Sequence, residues 1–342
     1  MAVFSGSPLY RVYAQPQATY GTVPNSTGTW TNTGAKLIPH ARLDLKALED
    51  LIEANWKTGT AAMLTGTKGQ AGASFSLEAP LMPSGAAGTA PNLDPVLKAI
   101  FGTAATVVSS TSVTYNMLSG ASVPLILAKF NEAGGSTNTS QFGHGFCPQN
   151  FTFNIGGGGY IVLTCDGPGM AVLDSDYFSS EDASGAAGLT SFPSEPGTPT
   201  LTGNQLHAYT DTATFGGSSA VEFISAQISG NTGRSLVRGS GRYAVGIAQG
   251  RRSVALNSLK FLDSDGSTLQ TIKQAAKSKS ALDVVITQGA TAGYIVTHTL
   301  KSVQFGNASF SENGAQVEVN FDNSPAHASS LTGENDYKIA LT

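Results

Sequence analysis

Between Ala73 and Ala79 the side chains alternate, with Ala73, Phe75, Leu77 and Ala79 on one side and Ser74, Ser76 and Glu78 on the other. A period of two gives a strand with one face against a core and one polar face. The alternation stops at Pro80, and the loop PSGAAGTAP leads to a different rhythm. Leu93, Val96, Leu97 and Ile100 recur at helical spacing, with Asp94 and Pro95 at the start and Gly102 at the end. This predicts a helix of about three turns, N-capped by Asn92 and stopped at Gly102. Strands follow at Val113, Tyr115, Met117 and at Val123, Leu125, Leu127, and then NFTFNIGGGGYIVLT reads as a hairpin around four glycines.

The second half repeats this plan. Val254, Leu256, Leu259 and Phe261 mark a strand that contains a bulge. After SDGS, Leu269, Ile272, Ala275 and Ala276 share a helical face, with Ser267 or Thr268 as the cap. Strands are predicted over 282–287, 294–305 and 316–322. Residues 41–57 fit both periods: Leu43 and Leu45 alternate, whereas Leu48, Leu51 and Ile52 have helical spacing, so a strand followed by a helical turn is expected. The fold class that results is mainly β with a minor helical part. Each half is a strand, a turn, a short flanking helix and several antiparallel strands. The plan reads as an internal duplication at the level of pattern, the alternative being two unrelated α+β domains. The expected divisions are an extended N-terminal arm over 1–40, a first unit over 41–180, a linker over 181–205 and a second unit over 206–342.

Composition changes this picture in one respect. Only 12% of the 342 residues are charged, 40% are hydrophobic, and Gly, Ser, Thr and Ala fill much of the rest. So few charges in an ordered chain point to a surface largely covered in an assembly. The 19 Lys and Arg against 23 Asp and Glu leave a net charge of −4 and no basic excess for gripping phosphates. Arg234, Arg238, Arg242, Arg251 and Arg252 are the nearest approach to a basic patch. They lack interleaved aromatics and read as subunit contacts or a solvated rim. No run reaches the roughly 18 apolar residues of a membrane span. The N-terminal stretch lacks the charged and apolar regions of a secretory signal.

Candidate chemistry is sparse, and no catalytic, cofactor-binding or metal site is assigned. His40, His144, His207, His298 and His327 lack metal-site spacing. His144 with Cys147 makes half a zinc site without a second pair, and His298 sits in a strand alternation. The glycines at 156–159 join two strands and open no helix, so they are no phosphate loop. Asp263, Asp265 and Gly266 resemble a calcium loop whose first position would be Phe261 and last Ile272. Asp174, Asp176, Glu181 and Asp182 read as turn residues. In the hairpin, Ile155 opposite Tyr160 would set Cys165 against Asn150, three residues or roughly 10 Å from Cys147. That exceeds the roughly 7 Å reach of a disulfide, so two buried free thiols are expected.

Four segments carry a resemblance: QATYGTVP; SFSLEAPLMPSGAAGTAPNLDPVLKAIFG; SVTYNMLSGASVPLILAKF followed by FTFNIGGGGYIVLTCDG; and VEVNFDNSPAHASSLTGENDYKIALT. In their order and over most of the chain they resemble the major tail tube proteins of long-tailed (siphovirus-type) bacteriophages. The resemblance implies two tandem β-sandwich or split-barrel units, each with its flanking helix, and no enzymatic activity or cofactor. It implies a virion protein made in the host cytoplasm that stacks as rings into the tail tube. Tape measure, terminator and tail-tip proteins would be partners, and DNA would pass through the lumen without being read. The repeat implies trimeric rings of pseudo-six-fold symmetry, the alternative being six chains per ring. Residues 1–40, 130–146 and 179–205 are the expected inter-ring or inter-subunit contacts. A tail-hub, baseplate or decoration protein is the competing reading, and a surface adhesin the next.

Overall fold

The computed structural model describes residues 10–23, 34–54, 64–102, 105–117, 122–131, 140–156, 160–178, 189, 191–197, 201–203, 212–220, 223–314, 316–328 and 336–342. Among them the chain is mainly β, with two helices and no closed barrel. The first stretch holds β1 (Tyr10–Pro16), β2 (Lys36–Ile38), β3 (Arg42–Ala54), β4 (Leu64–Pro80), α1 (Asp94–Phe101), β5 (Thr106–Val108) and β6 (Ser112–Asn116). It continues with β7 (Leu125–Asn131), β8 (Gln141–Phe146), β9 (Asn150–Gly156), β10 (Val162–Gly169) and β11 (Ala171–Asp174). The second holds β12 (Thr212–Phe215), β13 (Ser218–Ser219), β14 (Phe223–Asn231), β15 (Arg234–Arg238), β16 (Ala244–Gln249), β17 (Ser253–Leu262) and α2 (Ser267–Ser278). It ends with β18 (Ala281–Gln288), β19 (Val296–Gln304), β20 (Ala308–Asn313), β21 (Gln316–Phe321), β22 (Ser324–Pro325) and β23 (Tyr337–Leu341).

A nine-stranded antiparallel sheet runs through both halves in the order β20, β21, β17, β14, β9, β10, β4, β3, with β22 also on β17. Its inner face is the predicted alternation: Ala73, Phe75, Leu77 and Ala79 of β4 are buried, as are Val254, Leu256, Leu259 and Phe261 of β17. Two smaller sheets cover that face. One runs β11, β8, β7, β1, β2 and the other β13, β12, β18, β19, β23, β6, β5. Most of the buried apolar side chains of all three sheets and both helices form one core. The inner face of β10 accommodates Gly167 because a Cβ there would lie 2.1 Å from the Cys147 carbonyl oxygen. Pro168 costs the sheet no ladder bond, since β9 stops pairing with β10 at Asp166.

The helices match their apolar stripes, and Gly102 closes α1 at φ 75°, where its N–H donates to the Lys98 carbonyl. The predicted caps differ. Leu93 and Gly266 occupy the N-cap positions, without side-chain caps. Asn92 instead spends its amide on the Leu37 carbonyl at 3.0 Å and accepts from the Thr202 hydroxyl at 2.8 Å. Residues 42–54 form one continuous strand, with no helical turn. Leu48, whose spacing favoured a helix, is an exposed edge-strand side chain.

Segments expected to be extended or loop-like also contribute to the sheets. Within the predicted arm, β1 pairs with β7 from Tyr10↔Asn131 to Pro16↔Leu125, and Val12, Tyr13 and Ala14 are buried. The expected contact loop 130–146 is bounded by β7 and β8, and its centre lies outside the described residues. In the linker, Glu195 accepts from Arg11 at 3.0 Å and from the Tyr13 hydroxyl at 2.8 Å, and Leu189 is buried beside them. These pieces hold the linker against the first small sheet.

Candidate functional site

Among the described residues, the groups singled out for chemistry do not gather into a metal-binding cluster. His144 on β8 and His298 on β19 are fully buried. Burial lowers them to about 4 and about 3 respectively, so both imidazoles are neutral. His298 Nδ1 lies 2.8 Å from the Tyr337 hydroxyl, and its ring stacks on that tyrosine. His40 is half-buried and lowered by desolvation, and His327 is exposed. Among the described residues no three His, Cys, Asp or Glu converge as metal ligands. Asp263 is paired with Lys273 at 2.6 Å and Asp174 ends β11. His207, Glu181, Asp182 and glycines 157–159 lie outside the described residues.

Both cysteines are free and buried. The hairpin register is one residue off the expected one: Cys165 faces Phe151 and Leu163 faces Phe153. Burial raises both thiols, Cys147 to about 11. At pH 8 neither should react with iodoacetamide over minutes in the folded protein, whereas both react once guanidinium exposes them. Mass spectrometry reads the difference, and a mass increase in the native protein would mean that the thiols are not buried.

The arginine cluster joins parts of the protein to one another. Arg234 is 2% exposed and donates to the Ala99 carbonyl at the end of α1 and to Gln249 at 2.9 Å. Arg238 donates to the Ala71 carbonyl at 3.0 Å, and Arg242 pairs with Glu49 at 2.5 Å. Arg252 meets Asp336 through two hydrogen bonds of 3.1 and 2.8 Å, with both side chains 10% exposed. Arg251 alone of the five is exposed and makes no side-chain hydrogen bond or ion pair among the described residues. The β15 and β16 hairpin thus straps the second half onto β4, β3 and α1. No sequence signal marks this, since Ala99 lies 135 residues from Arg234.

What remains as a working surface is the large sheet itself. At its centre β9 and β14 pair over seven rungs, from Gly156↔Ser225 to Asn150↔Asn231. Phe153 and Ile228 face each other on the core side, both buried. On the outer side Gln227 donates to Asn154 and Asn231 to Asn150, each at 2.8 Å. Thr152, Ser229, Asn257, Ser309, Ser311 and Asn320 continue this amide and hydroxyl surface. Two ion pairs also lie on it, Arg42 with Asp44 and Lys260 with Glu318 at 3.8 Å. Among the described residues the sheet ends in β3 and β20, each with one neighbour, and Phe310 on β20 is 61% exposed. Unpaired edges with an apolar side chain are templates for pairing with another chain.

No curated protein matches the chain. The family model described as phage tail tube protein matches residues 11–325. That span takes in both halves of the large sheet, both helices and β1 to β22, and no helix among the described residues is long and apolar enough to cross a membrane. A match over that span, on a β-rich body, gives the chain its place: it belongs to the phage tail tube protein family and is a structural component of the virion tail.

Proposed function

We propose that this protein polymerises as stacked rings into the tube through which phage DNA passes into the host, and that each ring holds three chains of two copies of one unit. The tube would be assembled in the host cytoplasm with the tape measure, terminator and tail-tip proteins. The observation that carries this reading is the order of strands on the two sides of the β9·β14 junction. The first half runs β3, β4, β10, β9 and the second β14, β17, β21, β20, so the same hairpins follow in the same order. Each half has its helix after the second strand, α1 after β4 and α2 after β17. Five strands of the covering sheets correspond too, β2, β1, β7, β8, β11 with β13, β12, β18, β19, β23, and the second sheet carries β6 and β5 of the first half in addition.

Within one chain, therefore, the last edge of one unit meets the first edge of the next. A head-to-tail contact of that kind generates a ring when the rotation closes. Three chains, each with eight strands along the sheet path, supply a wall of twenty-four. At a strand spacing of about 4.8 Å such a wall is roughly 37 Å across before tilt widens it. That admits a DNA duplex. An outer sheet face made mostly of amides and hydroxyls suits a conduit, because each unpaired lysine or arginine would hold a phosphate and slow transit.

Negative-stain microscopy of the purified full chain, alone and with tail extract, tests this. Rings or tubes with a DNA-wide channel and three chains per ring by native mass spectrometry are expected. Six chains per ring would refute the two-copy ring, and rings that never stack would make the protein a hub or decoration component.

A further inference from the structure

We infer that rings close by addition of β20 of one chain to β3 of the next, in the register of the internal β9·β14 ladder. The inference rests on the two-copy reading above and adds the residues that meet. The ladders β4·β10 and β17·β21 end at Pro80↔Val162 and Leu262↔Glu318. Superposing these ends sets Leu163 against Val319, and hence Phe153 against Phe310 through the rungs Leu163↔Phe153 and Val319↔Phe310. On the other side, the irregularity at Ser258, where φ is 57°, absorbs one residue. Leu256 then matches Phe75, and their partners Ile228 and Leu45 match each other.

The pair Phe153↔Ile228 therefore becomes Phe310 opposite Leu45 of the next copy. Phe153 is fully buried, whereas Phe310, at the same place in its hairpin, is 61% exposed. Phe153 has β14 on its far side and lies under His298 and Tyr337 of the covering sheet, whereas among the described residues β20 pairs with β21 alone, so a strand added at this edge would cover one flank of Phe310. Moving outward, Asn154↔Gln227 becomes Ser311 opposite Asp44, and Thr152↔Ser229 becomes Ser309 opposite Lys46. A hydroxyl facing a carboxylate and another facing an ammonium replace the amide and hydroxyl pairs of the internal junction. No like charges are brought together on these rungs.

The test is cysteine cross-linking in the full chain with Cys147 and Cys165 retained. Asp44→Cys combined with Ser311→Cys should oxidise to dimers and then to trimers, with little beyond, on a non-reducing gel. The mismatched pair Arg42→Cys with Ser309→Cys is displaced by four residues and should remain monomeric. Rings seen by microscopy without cross-linking of the matched pair would overturn this edge and leave the ring reading standing. So would equal cross-linking of the mismatched pair, or disulfide dimers of Ser311→Cys alone, which would mean that β20 pairs with itself. A well-folded wild-type chain that never forms rings would overturn both. As a second variant, Phe310→Asp should keep the wild-type circular dichroism and melting temperature and form no rings, because its side chain is exposed in the single chain. Rings of that variant would refute the pairing.

Discussion

Replacing Tyr337 by alanine is expected to lower the unfolding free energy by about 4 kcal/mol, the middle of the range for removing a large buried ring. Tyr337 is fully buried and belongs to β23, but its neighbours come from across the fold. Phe101 of α1 lies 5.3 Å away between ring centroids, Phe151 of β9 stacks on it at 6.2 Å and 8°, and His298 of β19 stacks at 6.2 Å and 9°. Phe101 in turn contacts Tyr115 of β6, whose hydroxyl donates to Asp94 at 2.7 Å. Deleting the central ring opens a cavity where both halves of the chain meet, and rings held by several strands cannot collapse into it. Tyr337→Phe keeps the packing and loses only the contact with His298, which is worth about 1 kcal/mol. Urea denaturation of both variants checks this. If Tyr337→Ala cost no more than Tyr337→Phe, the rings would not be acting as one packed unit.

The second large effect is acid destabilisation well above the carboxylate range. As the pH falls through about 6.5 the unfolded chain takes up protons on its histidines. The folded chain leaves His144 neutral until about pH 4 and His298 until about pH 3. The unfolded state thus binds more protons, so stability rises with pH across this window and is lost on the way down. At pH 5 each histidine costs about 2 kcal/mol relative to pH 7, and the two together about 4 kcal/mol. His40 shifts in the same direction from a less buried position. Denaturant curves between pH 5 and 6.5 should give a slope approaching two protons, falling to about one in His144→Leu. An unchanged slope in that variant would mean that His144 is protonated in the folded protein.

Local patterns were legible from the amino-acid order, and distant pairings were not. Ala73 to Ala79 could be read as a strand because alternation is a property of neighbours, and α1 because its stripe and Gly102 lie within ten residues. The strand at 42–54 was half lost because, on an edge, Leu48 points to solvent and imitates helical spacing. β1 and β2 are 7 and 3 residues long, too short to show a period, and β1 finds its partner β7 more than a hundred residues away. Asn92 resembled a cap because sequence cannot show that its amide is used by Leu37 and Thr202. The edges of the large sheet follow the same rule: β3 and β20 are placed there by which strand pairs with which, and no single stretch of sequence shows that.

The pairing of β6 with β23 has a consequence for how the chain is made. Tyr115 faces Ile339 and Val113 faces Leu341, so β6 emerges from the ribosome more than 200 residues before its partner. Until then α1 and β6 lack the ring of Tyr337, and β19 lacks a neighbour on the same side. The first half can form its own hairpins during synthesis, but the core common to both halves closes only when β23 slots between β19 and β6. A nascent or prematurely terminated chain would thus keep apolar surface open to chaperones and proteases, and the edges of the large sheet would be held firmly in place only in chains made through β23.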